Sequence, residues 1–446
     1  MTELQMYLTM AVFGTVILAI AFDVIDMAVA ALLGVSLLFG FNILSEDDVV
    51  AAVRIAGGPL ALLFGGMVVA RTLASTGIFD RIGAVYLRAT QGSGKRFLLL
   101  LIVLVAPLCA VLPNATTVIL LAPIIIRVAT ALEVDFVGPM VLTAIISNSA
   151  GLLTLVGDPA TFLVGSSIGM SFGQYLRKVS LGGLLSLLIL IPLLPLLMPD
   201  LWRVRRPLPP RESQKPFQRP WFALLAIAVL AIMVGLFLFG EDLPTRVGPP
   251  PAAIIAASLA LLVIYSARIE SVDNVLRDID WKTLVFLGCI FLLVQAITKT
   301  GLLQNFSLKL YEWFGTEFTL AALGLIAGIG LLSSLLANIP VVAASILMVK
   351  GYLVAVEAVP EAALGAHFTD WPAATIPVFV AMMFGATLGG NATLIGASAN
   401  VVSVGICAQN GKPVTFVKWL RYGLLITACQ LAASALYVLA LFHFGR

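Results

Sequence analysis

The chain has 446 residues, 61% of them hydrophobic and only 11% charged, with a mean hydropathy of +1.08. Soluble domains carry about 25% charged residues, so the composition excludes a water-soluble globular fold and defines an integral membrane protein. A net charge of +3 on so few ionisable groups argues against nucleic acid as a partner.

Each crossing needs about 20 apolar residues, which predicts roughly ten to twelve crossings. The apolar stretches are 7–22, 25–42, 58–75, 97–131, 140–169, 180–198, 221–240, 250–266, 282–298, 318–350, 373–407 and 419–443. The opening "MTELQMYLTMAVFGTVILAIAF" lacks a basic n-region and a small-residue cleavage site, and reads as a retained first span. Asp23 and Asp26 mark the loop after it. Arg71, in "MVVARTLA", is expected to lie deep and to pair with a carboxylate, whereas Lys350 is expected to snorkel to the interface. The basic loop "LRATQGSGKRF" reads as cytoplasmic.

Four stretches (97–131, 140–169, 318–350 and 373–407) are too long for one crossing, and each is broken by polar or helix-weakening residues. Between the sixth and seventh stretches, at residues 199–221, lies "PDLWRVRRPLPPRESQKPFQRPW". It carries Arg203, Arg205, Arg206, Arg211, Lys215 and Arg219 and reads as a cytoplasmic linker. "GEDLPTRVGPPP", with one basic residue, belongs outside. The expected organisation is residues 1–198 as one half, 199–220 as linker and 221–446 as the other half.

The halves resemble each other. A shift of 224 places "LLFGGMVVARTLASTGIF" on "FLGCIFLLVQAITKTGLL" and "LPNATTVILLAP" on "LANIPVVAASIL", so that Asn114 falls on Asn338. A shift of 239 places "GLLTLVGDPAT" on "GNATLIGASAN". The change of shift requires an insertion, expected within 351–372. The loop with Arg88, Lys95 and Arg96 has a far less basic counterpart around Lys309, Glu312 and Glu317, which points to inverted halves. Duplicated membrane halves with matching interrupted helices are a common plan of secondary transporters, with the site at the midplane.

Two constellations could carry chemistry. "PNATT" and "ANIP" each divide an apolar stretch into arms of about 15–18 residues, ~22–27 Å if helical, which suits re-entrant hairpins with tips in mid-membrane. Helix ends at such tips expose free backbone groups, and Asn114, Thr116, Thr117 and Asn338 could bind either an oxyanion or a cation there; the alternative is plain helix capping. "SNSAGLLTLVGDPAT" and "ATLGGNATLIGASAN" combine glycines with Asn148, Thr154, Asn391, Thr393, Ser398 and Asn400. Irregular backbone at membrane depth must face protein or a cavity, although glycines and small polar residues also serve close helix packing. Asp158 is the one carboxylate within these motifs. It is either a proton carrier, since a carboxyl removed from water favours its neutral form, or an ionised helix cap.

Cys109, Cys289, Cys407 and Cys429 are scattered, His367 and His443 lie far apart, and no HExxH motif occurs. No disulfide framework, metal centre or cofactor is expected, and no nucleophile–base pair suggests an enzyme. Cys109 lies near the first tip but is expected to be a packing residue.

"GNATLIGASAN", the "GDP" of the first half and "NATTVILLAPIIIR" resemble the ion transporter superfamily. The similar branch contains the arsenical pump membrane protein, the NhaD-type sodium/proton antiporters and the P protein, and the likeness covers about residues 45–425. It implies the fold of the divalent-anion/sodium symporters: an all-α polytopic membrane protein of two inverted repeats with re-entrant hairpins and discontinuous helices. Relatives commonly read "DN" at both tips, where this chain has Pro113-Asn114 and Ala337-Asn338, and "GDPPN" where it has "GDPAT". Without those acids, sodium/proton exchange alone fits poorly. The resulting expectation is a transporter in the prokaryotic cytoplasmic membrane, exporting arsenite or antimonite by an elevator-like or rocking movement coupled to protons. The alternative is a sodium-coupled carrier of di- or tricarboxylates or another inorganic anion. The resemblance further implies a homodimer and, for an arsenical pump, an ATPase subunit as partner.

Overall fold

The computed structural model of the chain describes residues 3–21, 24–208, 220–365 and 368–444. Every regular element among them is helical, as a bilayer demands of backbone groups that have no water to bond. Ten helices among the described residues are long and apolar enough to cross a membrane. Arg211, Lys215, Arg219, Asp23 and His367 lie outside the described residues.

The first half opens with α1 (Glu3–Ala21), α2 (Met27–Gly40), α3 (Glu46–Ser75) and α4 (Ile78–Thr90). A hairpin of α5 (Gly94–Cys109) and α6 (Asn114–Ala131) follows, then α7 (Val137–Ala150) and α8 (Pro159–Ser167), separated by a break. The chain returns through α9 (Phe172–Lys178), α10 (Ser180–Leu188), α11 (Leu190–Leu197) and α12 (Pro199–Arg203). The second half repeats the order. It runs α13 (Pro220–Phe239), α14 (Pro249–Ala267), the short α15 (Val272–Arg277), α16 (Trp281–Lys299) and α17 (Leu302–Phe314). A second hairpin, α18 (Phe318–Leu335) and α19 (Asn338–Ala355), leads to α20 (Ile376–Gly389), a break, α21 (Ser398–Gln409) and α22 (Phe416–Phe444).

Helix bounds obey the two offsets seen in the sequence. Adding 224 carries α4 onto α17 and α6 onto α19, and adding 239 carries the starts of α7 and α8 onto those of α20 and α21. The turns are copied as well. Thr76 Oγ1 donates to the Leu73 carbonyl (2.6 Å) and accepts from the Ile78 amide (3.1 Å). Thr300 does the same with Ile297 (2.7 Å) and Leu302 (3.2 Å). Gly77 and Gly301 follow them at φ 73° and 75°, a left-handed conformation that glycine adopts without steric cost.

Side-chain contacts at the helix ends set the relative direction of the halves. Arg71, one turn from the end of α3, binds Glu270 (2.6 Å) and Asp278 (2.8 Å), just before α16 begins. Lys299, the last residue of α16, binds Asp48 (2.5 Å) in the first turn of α3. The equivalent helices α3 and α16 therefore pack antiparallel, and the repeats are inverted. Packing is exchanged between halves: α6 lies against α21 and α19 against α8, while α14 packs on α3 and α2 on α16. The hairpins enter from opposite sides and converge at their tips.

Two charged residues sit where hydropathy alone did not place them. Arg71 is not deep, because α3 begins at Glu46 and runs 30 residues, so its end reaches the membrane edge. Lys350 does not snorkel. It is 3% exposed, donates to the Gly365 carbonyl (3.1 Å) and lies 5.4 Å from the centre of the Trp371 ring. The insertion between α19 and α20 folds over it.

The basic segments gather on one face. The Gly94 amide donates to Val204 O (3.0 Å) and the Arg206 amide to Gly92 O (2.9 Å), so the first hairpin's base is stitched to the start of the Arg-rich linker. Lys412 pairs with Asp135 (2.9 Å) on the same side, which the positive-inside rule makes cytoplasmic.

Candidate functional site

Both hairpin tips end on Asp158. The Asn114 Nδ2 donates to its Oδ2 at 2.9 Å and the Asn338 Nδ2 to the same oxygen at 3.3 Å. The other oxygen, Oδ1, accepts from the Ala160 amide at 2.7 Å, capping α8. Capping of α8, one of the two roles that the sequence left open for Asp158, thus falls to one oxygen, and the other is left to the two tips. The residue is 4% exposed, and the Asn114, Asn338 and Ala160 N–H groups that reach it are neutral donors. Each donor offsets part of the desolvation of a buried carboxylate.

Local sequence explains this convergence. Pro113 and Ala337 are the N-caps of α6 and α19 at nearly the same backbone angles (φ −57°, ψ 138°; φ −58°, ψ 142°), with no side-chain cap. Asn114 and Asn338, first in their helices, therefore point outward from the tips instead of bonding their own turn. Gly151 allows Asp158 to close in, since a Cβ there would lie 2.9 Å from the Asp158 Cβ and 3.4 Å from the Asn114 amide nitrogen.

Around the first tip, polar atoms remain unsatisfied. Asn114 Oδ1 and Thr117 Oγ1 are buried without a hydrogen-bond partner, a costly state for polar atoms away from water. Ser147 Oγ donates to the Asn114 carbonyl at 3.2 Å. Thr116 is half-buried beside them, and Ser398 is exposed at the start of α21. Cys109 is wholly buried in an apolar cluster and carries no disulfide.

The remaining predicted residues form a second cluster. Asn148 Nδ2 donates to Asn391 Oδ1 (3.0 Å) and to Asn400 Oδ1 (2.9 Å). Asn391 Nδ2 donates to Ser149 Oγ (3.1 Å) and Gln430 Oε1 (2.9 Å). Asn400 Nδ2 reaches the carbonyls of Gly390 and Thr393, both at 2.8 Å. These amides are largely satisfied by one another and join the two breaks across the repeat axis. Thr154 and Thr393 act as struts in equivalent places: Thr154 Oγ1 donates to the Ala110 carbonyl, and Thr393 Oγ1 to the Ser334 carbonyl at 2.5 Å.

Gln430 escaped the sequence reading. It is fully buried in α22 and donates to Ser149 Oγ (2.9 Å) and Ser186 O (2.8 Å). Its signal was one carboxamide in the apolar run "LLITACQLAAS", at a depth where an unpartnered amide costs several kcal/mol.

Two broken, inverted halves meeting through hairpin tips at a buried polar centre define a membrane transporter. A model of the citrate transporter family, CitMHS, matches residues 17–367, and the chain belongs to that family. It is 40% identical to an uncharacterized transporter of Synechocystis sp., over 96% of both chains. It is 31% identical to an uncharacterized transporter of Mycobacterium tuberculosis, again over 96% of both. The human P protein is 26% identical, over 98% of this chain and 60% of that protein. A likeness of fold extends to the crystal structure of the YdaH transporter of Alcanivorax borkumensis, with a TM-score of 0.58, 13% identity and 90% of each chain covered. With ten apolar helices among its described residues, the chain is an integral membrane protein of the bacterial inner-membrane kind.

Proposed function

We propose that the chain is a secondary-active transporter that exports trivalent arsenic or antimony, as the uncharged hydroxide, in exchange for protons carried by Asp158. The observation that carries this reading is the pair of tip amides on one buried carboxylate oxygen. Whatever occupies Asp158 is felt by both tips at once, which is the linkage that coupled transport needs. The rest of the lining is amide, hydroxyl and backbone, suited to a neutral oxyacid that needs donors and acceptors but no counter-charge. Asn114, Thr116, Thr117, Asn338 and Ser398 would meet the cargo, with Asn148, Thr154, Asn391, Thr393 and Asn400 shaping the breaks behind them. The halves 1–198 and 221–446, with 199–220 between them, would form the two repeats, and the tips would move past α3 and α16 in an elevator-like or rocking cycle.

A second reading is favoured by the description of the family: a sodium-coupled carrier of di- or tricarboxylates. Carboxylate oxygens would then rest on the helix N-termini at the tips, with sodium offsetting Asp158. Purified protein in proteoliposomes separates the two. Arsenite flux driven by a pH gradient and indifferent to sodium is expected. Sodium-dependent citrate or succinate uptake without arsenite flux would overturn the first reading and establish the second.

A further inference from the structure

The two breaks share one backbone but not one chemistry. In each, a glycine amide turns back on the threonine carbonyl, Gly157 on Thr154 (3.3 Å) and Gly396 on Thr393 (3.4 Å). In each, the glycines nearly touch: a Cβ on Gly157 would lie 2.8 Å from Gly151 O, and one on Gly390 2.8 Å from Gly396 O. At the matching positions, however, Asp158 corresponds to Ala397 and Thr161 to Asn400.

In the first break a carboxylate stands against the end of α7, whose terminal carbonyls carry partial negative charge. The buried Asn114 Oδ1, without a partner, adds another acceptor close by. Oxygens gathered in this way attract a cation. Thr161, in the place of Asn400, bonds locally: its hydroxyl donates to the Asp158 carbonyl (2.7 Å) and the Leu155 carbonyl (3.4 Å), not to the carboxylate.

In the second break the carboxylate is missing, and the space between the limbs is closed by an amide. Asn400 Nδ2 donates both hydrogens, to Gly390 O at the end of α20 and to Thr393 O. Asn148 holds that amide in place by donating to Asn400 Oδ1 (2.9 Å). The side chain offers two N–H dipoles to the carbonyls that would otherwise turn towards a positive charge.

We infer that Asn400 is a built-in substitute for a coupling cation, so that only the first half binds one and each transport cycle moves a single coupling cation. The inference rests on the reading that Asp158 is the coupling site, and it assigns Asn400 the part of fixing the stoichiometry.

The test is a reversal measurement in proteoliposomes with the membrane voltage clamped at zero, using protons with arsenite or sodium with citrate, whichever pair moves. A cation gradient of about tenfold should balance a cargo ratio of about tenfold; a balance near a hundredfold means two cations and overturns the inference. Asn400→Asp removes the donors and supplies the charge that the second half lacks, and should move the balance to about a hundredfold. An Asn400→Asp protein that inserts, transports and keeps the wild-type balance refutes the role of the amide. Should that variant fail to insert, the wild-type balance decides alone. Asp158→Asn serves as the separate control: transport still driven by the cation in that variant defeats the reading of Asp158 itself, whatever the balance at Asn400.

Discussion

Gln430→Leu is the sharpest test of whether the amide cluster is a truss or part of the cargo site. The substitution keeps the approximate volume and removes three hydrogen bonds: two donated, to Ser149 Oγ and Ser186 O, and one accepted from Asn391 Nδ2. A typical buried hydrogen bond contributes about 0.5–1.5 kcal/mol net, giving about 2–4 kcal/mol for three. Bonds between membrane helices average nearer ~0.6 kcal/mol, because the separated helices find other partners, so the lower end, about 2 kcal/mol, is expected. Gln430 is far from the tips in the bonding scheme, joining α22 to α7, α10 and the second break without touching Asp158. Thermal unfolding of purified protein in detergent should therefore show a clear loss of stability, while the KM for cargo in the folded fraction stays within about twofold. Unchanged stability, or a KM raised tenfold with stability intact, would refute the truss and put the amides among the cargo ligands.

Asn114→Ala and Asn338→Ala should each abolish transport while leaving the protein folded and inserted, measured by flux alongside size-exclusion profiles; normal flux in both would reduce the tips to caps. Gly396→Ala should destabilise by about 1–3 kcal/mol, because its Cβ would meet the Gly390 backbone, at 2.5 Å from the carbonyl oxygen and 2.8 Å from the Cα; unfolding measurements on that variant check it. Partial burial pushes the Asp135 carboxyl up, but the bond from Lys412, the Val137 amide and the charges of Lys412 and Lys418 together hold it below the ordinary carboxylate range. A depressed native value stabilises the fold above the unfolded pKa of about 3.9 and loses that contribution as pH falls through the native value. Asp135→Asn should thus cost ~0.5 kcal/mol or less at pH 7, the pair being half-exposed and screened, and nothing near pH 2; an equal cost at both would rule out the ion pair as the cause.

Much of the architecture was legible because the bilayer restricts it so severely. Offsets of 224 and 239, read from Thr76-Gly77, Asn114 and the glycines of the breaks, coincide with the helix bounds. Apolar arms on either side of "PNATT" and "ANIP" gave the hairpins. What sequence could not give was partnership across the repeat axis. Asn148, Asn391 and Asn400 are polar residues at depth that need partners, and nothing in their spacing says that they satisfy one another. Conversely, Asn114 Oδ1 and Thr117 Oγ1 stay unsatisfied although their neighbours are equally polar. Arg71 and Lys350 were misplaced for a similar reason: a hydropathy window does not reveal that α3 starts twelve residues early or that an insertion folds over α19.

The distribution of charge then separates what is braced from what is free. At one end α3 and α16 are tied by Arg71 to Glu270 and Asp278, and at the other by Lys299 to Asp48, with Lys299 also donating to the Ile43 carbonyl (3.1 Å). Breaking such a partly buried pair strands a charge, so these ends resist relative sliding. At the centre the bonds between the tips and Asp158 are few and at 2.9–3.3 Å, and they depend on a carboxylate able to accept them. Neutralising Asp158 leaves its oxygen a weaker acceptor and loosens both tips together. On the proposed coupling at Asp158, a scaffold clamped by ion pairs at its ends around a centre held by one acceptor would confine the response to the hairpins and leave α3 and α16 in place.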